Sequence, residues 1–223
     1  MQTTTPLAAI IFDFDGTLAD TFPLVIDSWN TAMRAAIGVT HPPEDVIARF
    51  GIPEVRMFQR EFAGRPDAVW QKAMDNYLAA YEEGHEIVQP FEGIPEMLHR
   101  FREAGIPTGV MTSKGRHACD ISLRRLGWDG AFASVVTGDE VAEQKPDPEG
   151  PLLVASELGV LPSRCAFVGD SAADIEAGRA AGMRTVAAAW HTVYTDALRA
   201  ARPDHWARTP AELPVLFGLA APA

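Results

Sequence analysis

From Ile106 onward this chain alternates short apolar runs with helical segments, with a glycine near the end of each helical segment. Candidate strands at residues 106–111, 132–137, 165–168 and 183–188 join an earlier one at 8–12. Short continuous apolar runs separated by helices fit parallel strands buried on both faces, because a parallel pair needs a long crossover between its members. Gly105, Gly127, Gly159 and Gly182 fall where those helices end, the place for a left-handed closing residue. The pattern predicts an α/β fold, a doubly wound and mainly parallel sheet of Rossmann-like form.

Residues 18–88 follow another rule. No strand-like run interrupts them, and apolar residues recur at helical spacing: Phe22, Val25, Trp29, Met33 and Ile37 in one stripe, Trp70, Met74, Tyr77 and Tyr81 in another. Pro42-Pro43 and Ile52-Pro53 break the interval between them into two shorter helices. The expected organisation is a core of residues 1–17 and 89–223 with a helical cap of residues 18–88 inserted after the first strand. The chain returns to the core near Gln89-Pro90-Phe91-Glu92-Gly93.

The first apolar run ends in Asp13-Phe14-Asp15-Gly16-Thr17. Alternate residues of an extended chain point the same way, so Asp13 and Asp15 can leave the strand on one side while Phe12 and Phe14 turn to the other. Two carboxylates held so close either raise one pKa or recruit a cation. Other strand ends add to them. Thr112-Ser113 follows one candidate strand and stands at a helix start, a place suited to an anion. Lys145-Pro146-Asp147-Pro148 follows the next, and Gly169-Asp170-Ser171-Ala172-Ala173-Asp174 the one after. Only three of the 19 basic residues are lysines, and Lys114 and Lys145 both stand just after strand ends.

Taken in order, these four elements resemble the signature of the haloacid dehalogenase-like hydrolase superfamily, whose members are mostly Mg²⁺-dependent phosphatases. Asp13-Phe14-Asp15-Gly16-Thr17 matches its first motif, Thr112 the second, Lys145 the third, and Gly169-Asp170 with Asp174 the fourth. Thr112-Ser113-Lys114-Gly115-Arg116 and Gln144-Lys145-Pro146-Asp147-Pro148 are similar to the phosphoglycolate phosphatase and pyrophosphatase branch. The resemblance implies Asp13 as nucleophile, Asp15 as acid and base, and Lys145 as a positive charge that also anchors Asp13. It implies phosphate contacts from Thr112, Ser113 and Lys145, and a cap-side substrate contact from Arg49. It implies Mg²⁺ held by Asp13, the backbone carbonyl of Asp15 and Asp170, with Asp174 beside the ion. Asp174 is open to a second reading, as a helix cap. Ser113, Lys114 and Arg116 fit either phosphate contacts or a solvated helix start, and Asp20 and Thr21 fit caps of the first helix.

The implied function is a Mg²⁺-dependent phosphatase of small phosphorylated metabolites, phosphoglycolate or pyrophosphate first, working through an aspartyl-phosphate. A sugar phosphomutase using the same intermediate and a non-catalytic phosphate-sensing protein stay open. A formal charge of −11 and a pI near 4.9 disfavour nucleic acid and anionic membranes as partners. No apolar run approaches the ~20 residues that cross a bilayer, and residues 1–6 lack the basic start of a signal peptide. The expectation is a cytoplasmic protein, monomer or homodimer. Cys119 and Cys165 fit core thiols, and the six histidines show no paired spacing for zinc.

Overall fold

Each predicted strand takes its place in one six-stranded parallel sheet, in a computed structural model that describes residues 6–191 and 196–220. Residues 1–5, read above for a missing basic leader, lie outside the described residues. The strands are β1 (Ala9–Phe12), β2 (Thr108–Met111), β3 (Ser134–Val136), β4 (Cys165–Gly169), β5 (Arg184–Ala188) and β6 (His205–Ala207), in the order β3-β2-β1-β4-β5-β6. Helices α1 (Phe22–Ile37), α2 (Pro43–Ile47), α3 (Glu54–Glu61) and α4 (Asp67–Glu83) all fall between β1 and α5 (Ile94–Glu103). The remainder are α6 (Arg116–Arg125), α7 (Glu149–Glu157), α8 (Ala172–Ala180), α9 (Asp196–Ala200) and α10 (Leu213–Leu216).

Side-chain alternation along β1 explains the two-faced burial. Ile10 and Phe12 join Val110, Ala166, Val168 and Val186 on one face, while Ala9 and Ile11 join Val136, Val154 and Phe167 on the other. Helix α7 packs over β1, β2 and β3, and α8 over β4 and β5. Every residue of β1, β2 and β4 is buried, as expected of interior parallel strands.

Two differences from the sequence reading have local causes. The strand expected from residue 106 begins at Thr108, because Pro107 has no N–H for the ladder, although its carbonyl still accepts from Ile10 N at 3.2 Å. Strand β6 was not foreseen. It is a three-residue edge strand with His205 and Trp206 exposed, so no apolar run announces it. The glycines behave as read: Gly105, Gly127, Gly159 and Gly182 all adopt positive φ.

Among the described residues, 18–88 contain no named strand. Helix α1 lies against α4, and α3 packs on α4. Trp29 stacks on Phe58 at 4.7 Å, and Phe58 meets Tyr77 edge-on at 5.7 Å, so the predicted aromatic stripes are packing faces. The outgoing and returning chains cross at an antiparallel bridge between Ala19 and Pro90, supported by Phe91 N donating to Leu18 O at 3.1 Å.

Candidate active site

The sheet order reverses about β1: the chain moves from β1 to β2 and β3 on one side, then to β4, β5 and β6 on the other. In an open parallel sheet such a switch point leaves a crevice beyond the carboxyl ends of the two strands concerned. Asp13 directly follows β1 and Asp170 directly follows β4, so both carboxylates stand at that crevice. Asp13 N donates to Val168 O at 2.8 Å, which ties the two strand ends together.

Asp13 Oδ1 accepts from Phe14 N at 2.7 Å and lies 3.0 Å from Lys145 Nζ. Lys145, from the loop before α7, also pairs with Asp174 Oδ1 at 2.6 Å. Asp174 is 1% exposed and takes the helix-cap reading that the sequence allows. Its Oδ2 accepts from Ser171 N at 3.0 Å and Ser171 Oγ at 2.6 Å, a reciprocal cap on α8, while Oδ1 holds the lysine. Asp170 Oδ1 accepts from Thr17 Oγ1 at 3.0 Å. Gly16 makes room for this arrangement: its φ is +80°, and a Cβ there would stand 2.5 Å from Asp170 Oδ2.

Asp13, Asp170 and Asp174 present oxygens within 4.8 Å of one another, with Lys145 as their adjacent ammonium. Burial, opposed by Lys145 and reinforced by the neighbouring carboxylates, raises Asp13 to about 7. Asp170 is driven well above the usual carboxylate range by burial and by Asp13 and Asp174. Carboxylate oxygens at this spacing could hold a metal ion, and an oxygen-only ligand set suits Mg²⁺. Asp13 and Asp170 each keep an oxygen, Oδ2, without a hydrogen bond among the described residues, whereas both oxygens of Asp174 are engaged.

Asp15 meets a second lysine. Lys114 Nζ stands 3.1 Å from Asp15 Oδ1 and 3.2 Å from Oδ2, and Thr21 Oγ1 donates to Oδ1. Thr21 therefore occupies the N-cap position of α1 with its hydroxyl turned to Asp15 instead of the helix. The Lys114 side chain is fully buried, 3.9 Å from Glu54 of α3 and 4.6 Å from the Tyr81 ring centre of α4. It is no part of a solvated helix start. Glu54 Oε2 accepts from Gly115 N at 2.6 Å, which links α3 to the residue before α6. Burial raises the Glu54 carboxyl, Lys114 opposing it, and the same burial holds the Tyr81 phenol at about 12.

One cavity of about 320 Å³ gathers these groups. Its floor contains Asp13, Asp15, Thr112, Ser113, Lys145 and Asp170. Thr112 follows β2, is 1% exposed, and accepts from Lys114 N at 3.2 Å. The opposite wall comes from Phe22, Val25, Phe50, Ile52, Glu54 and Met57 of the helical segment. Arg49 is not part of that wall. Its guanidinium donates to Glu61 Oε2 at 3.0 and 3.1 Å and to Asp45 O, and lies 5.5 Å from the Trp29 ring centre. Arg116 is likewise engaged, with Asp120, Glu140 and Val135 O. Glu54 was not singled out in the sequence. The break at Pro53 marked a helix start, but nothing local pairs it with a lysine sixty residues away.

The family model described as haloacid dehalogenase-like hydrolase matches residues 10–188. An N-acetylmuramic acid 6-phosphate phosphatase of Pseudomonas aeruginosa is 36% identical over 220 residues, covering 90% of this chain and 88% of that protein. Pyrophosphatase PpaX of Bacillus velezensis is 35% identical, covering 89% and 91%, and a phosphoglycolate phosphatase of Xylella fastidiosa is 36% identical, covering 81% and 80%. Among solved structures, CbbY from Rhodobacter sphaeroides in complex with phosphate superposes with a TM-score of 0.80 at 26% identity, covering 96% of this chain and 100% of that one.

Proposed function

We infer, from the premise that this chain belongs to the haloacid dehalogenase-like hydrolase family, that it is a Mg²⁺-dependent phosphatase of small phosphorylated metabolites working through an aspartyl-phosphate. The observation that carries the reading is the meeting of Asp13, Asp15, Thr112, Lys145 and Asp170, from beyond the ends of β1, β2 and β4 and from the loop before α7, around one cavity at the sheet's switch point. Residues 18–88 serve as a cap over a core of residues 1–17 and 89–223 and keep water from the reacting atoms.

Asp13 is the nucleophile. Its carboxylate oxygen bonds to phosphorus as the bond from phosphorus to the leaving oxygen breaks, and Asp15 gives that oxygen a proton. In the second displacement Asp15 takes a proton from water, whose oxygen attacks phosphorus, releasing phosphate and restoring Asp13. Lys145, 3.0 Å from Asp13 Oδ1, holds the nucleophile in place and offsets its charge as a phosphate approaches. Thr112 and the backbone amides after Asp13 hold phosphoryl oxygens as their charge grows. Asp13, the backbone carbonyl of Asp15 and Asp170 would hold Mg²⁺, with Asp174 fixing Lys145 beside them. The ion, when bound, supplies positive charge at the phosphoryl oxygens.

The test is phosphate release from a panel of phosphorylated metabolites with and without Mg²⁺. The compounds named in the relatives' titles, N-acetylmuramic acid 6-phosphate, pyrophosphate and phosphoglycolate, open the panel. Turnover is expected only with the metal and is lost in Asp13→Asn. Undiminished activity in that variant removes Asp13 as nucleophile.

A further inference from the structure

The cavity wall that faces a leaving group has a definite chemistry. Phe22, Val25, Phe50, Ile52 and Met57 present carbon, and Glu54 is the charged side chain among them. The cations lining the cavity, among the described residues, are Lys145 and Lys114. Each is already engaged by two carboxylates: Lys145 by Asp13 and Asp174, Lys114 by Asp15 and Glu54. Arg49, next to Phe50 in the chain, is turned to Glu61 and Trp29. Residues 192–195 carry no basic side chain.

A divalent cation and the reacting phosphoryl group roughly cancel each other's charge. A second anionic group beside the ester then meets carbon and Glu54 and, among the described residues lining the cavity, finds no free positive partner. Placing an unpaired charge against carbon is strongly unfavourable, and the neighbouring carboxylate adds repulsion. An uncharged alcohol loses far less on entry and buries its carbon face against the wall.

We propose that this pocket selects phosphomonoesters whose leaving group is an uncharged alcohol with a carbon face, and discriminates against a carboxylate or second phosphate next to the scissile bond. The proposal rests on the phosphatase reading and names the substrate class of that same site. Pyrophosphate and phosphoglycolate, though named in relatives' titles, are then poor substrates here.

The deciding experiment compares 2-phosphoglycolate with 2-hydroxyethyl phosphate, which replaces the carboxylate by a hydroxymethyl group on the same two-carbon frame. Both are assayed with Mg²⁺ on the full chain, alongside pyrophosphate. The expected result is a kcat/KM for hydroxyethyl phosphate higher on the order of tenfold or more. Ile52→Lys, at a half-buried wall position, raises the phosphoglycolate to hydroxyethyl phosphate ratio by a similar factor; Phe50→Lys is a second route to the same reversal. Equal or better turnover of phosphoglycolate or pyrophosphate by the unaltered protein overturns the selectivity and leaves the phosphatase reading standing. If no ester is hydrolysed with Mg²⁺, that reading fails and the proposal falls with it.

Discussion

Replacing Lys114 by methionine tests whether the buried charges under the helical segment form one coupled unit. The lysine side chain is fully buried, with Asp15 at 3.1 Å and Glu54 at 3.9 Å; those two side chains are 22% and 6% exposed. At an effective dielectric near 20, a charge pair at about 4 Å is worth roughly 4 kcal/mol before desolvation. Burying all three groups offsets much of that gain, so the intact cluster adds little net stability. Removing the cation alone is different, because two carboxylates remain close together with no cation between them, and truncations of this kind cost about 3–5 kcal/mol. Asp15 keeps access to water, which places the expectation near the lower end, about 3 kcal/mol. For a chain of this size that lowers Tm by roughly 6–12 °C. Glu54→Gln in the same background removes the stranded charge and should recover about 1–2 kcal/mol, a coupling that a double-mutant cycle measures directly. Urea unfolding of the four proteins provides the free energies. A loss below about 1 kcal/mol for Lys114→Met, or strict additivity with Glu54→Gln, refutes the coupled-unit argument.

Two further outcomes follow from the same coordinates. Burial pushes Cys119 up to about 12, Cys165 to about 11 and the Tyr81 phenol to about 12, so the native protein keeps protons that an unfolded chain releases. The unfolded state binds fewer protons above about pH 9, and stability therefore falls as pH rises from there towards 12, by up to about 1.4 kcal/mol per pH unit for each group. Denaturation midpoints measured between about pH 8 and 11 check the sign, and a rise across that range contradicts it. Arg49→Ala should leave kcat/KM unchanged and cost about 1 kcal/mol or less, since it removes a partly exposed pair with Glu61 and a contact with Trp29. A collapse in turnover would return Arg49 to the substrate.

What the sequence disclosed follows the range of the interactions involved. Asp13, Thr112 and Asp170 each come immediately after an apolar run, and a parallel sheet delivers such strand ends to one edge. Helix ends were visible because a left-handed residue is a local requirement, met by Gly105, Gly127, Gly159 and Gly182. Lys114 was harder. As the third residue after β2 it suits a solvated helix start, and only the packing of α3 and α4 against it, through Glu54 and Tyr81, buries its charge. Thr21 carries the same lesson at shorter range: the residue type fits a helix cap, yet Asp15, six residues earlier, takes the hydroxyl. Arg49 also has its partner elsewhere, on the next helix at Glu61.

Those long-range contacts also explain how carboxylates can be collected at one point without expelling the chain that carries them. Asp13 and Asp174 share Lys145, Asp15 and Glu54 share Lys114, and Asp170 has a hydroxyl from Thr17. Each lysine stands between two acids, one at the reacting edge and one behind it: Asp174 within the core, Glu54 on the helical segment. The two arrangements differ in what they join. Lys145 ties the loop before α7 to β1 and α8 of the same sheet, so its geometry is set by the core alone. Lys114 ties the end of β2 to α3, so the contact that holds Asp15 also depends on where the helical segment lies. Displacing that segment removes Glu54 from Lys114 and opens Asp15 to water, whereas Asp13 and Lys145 keep each other. By this reasoning the Asp13–Lys145 pair is set by the core alone, and the surroundings of Asp15 are complete only with α3 seated as it is here.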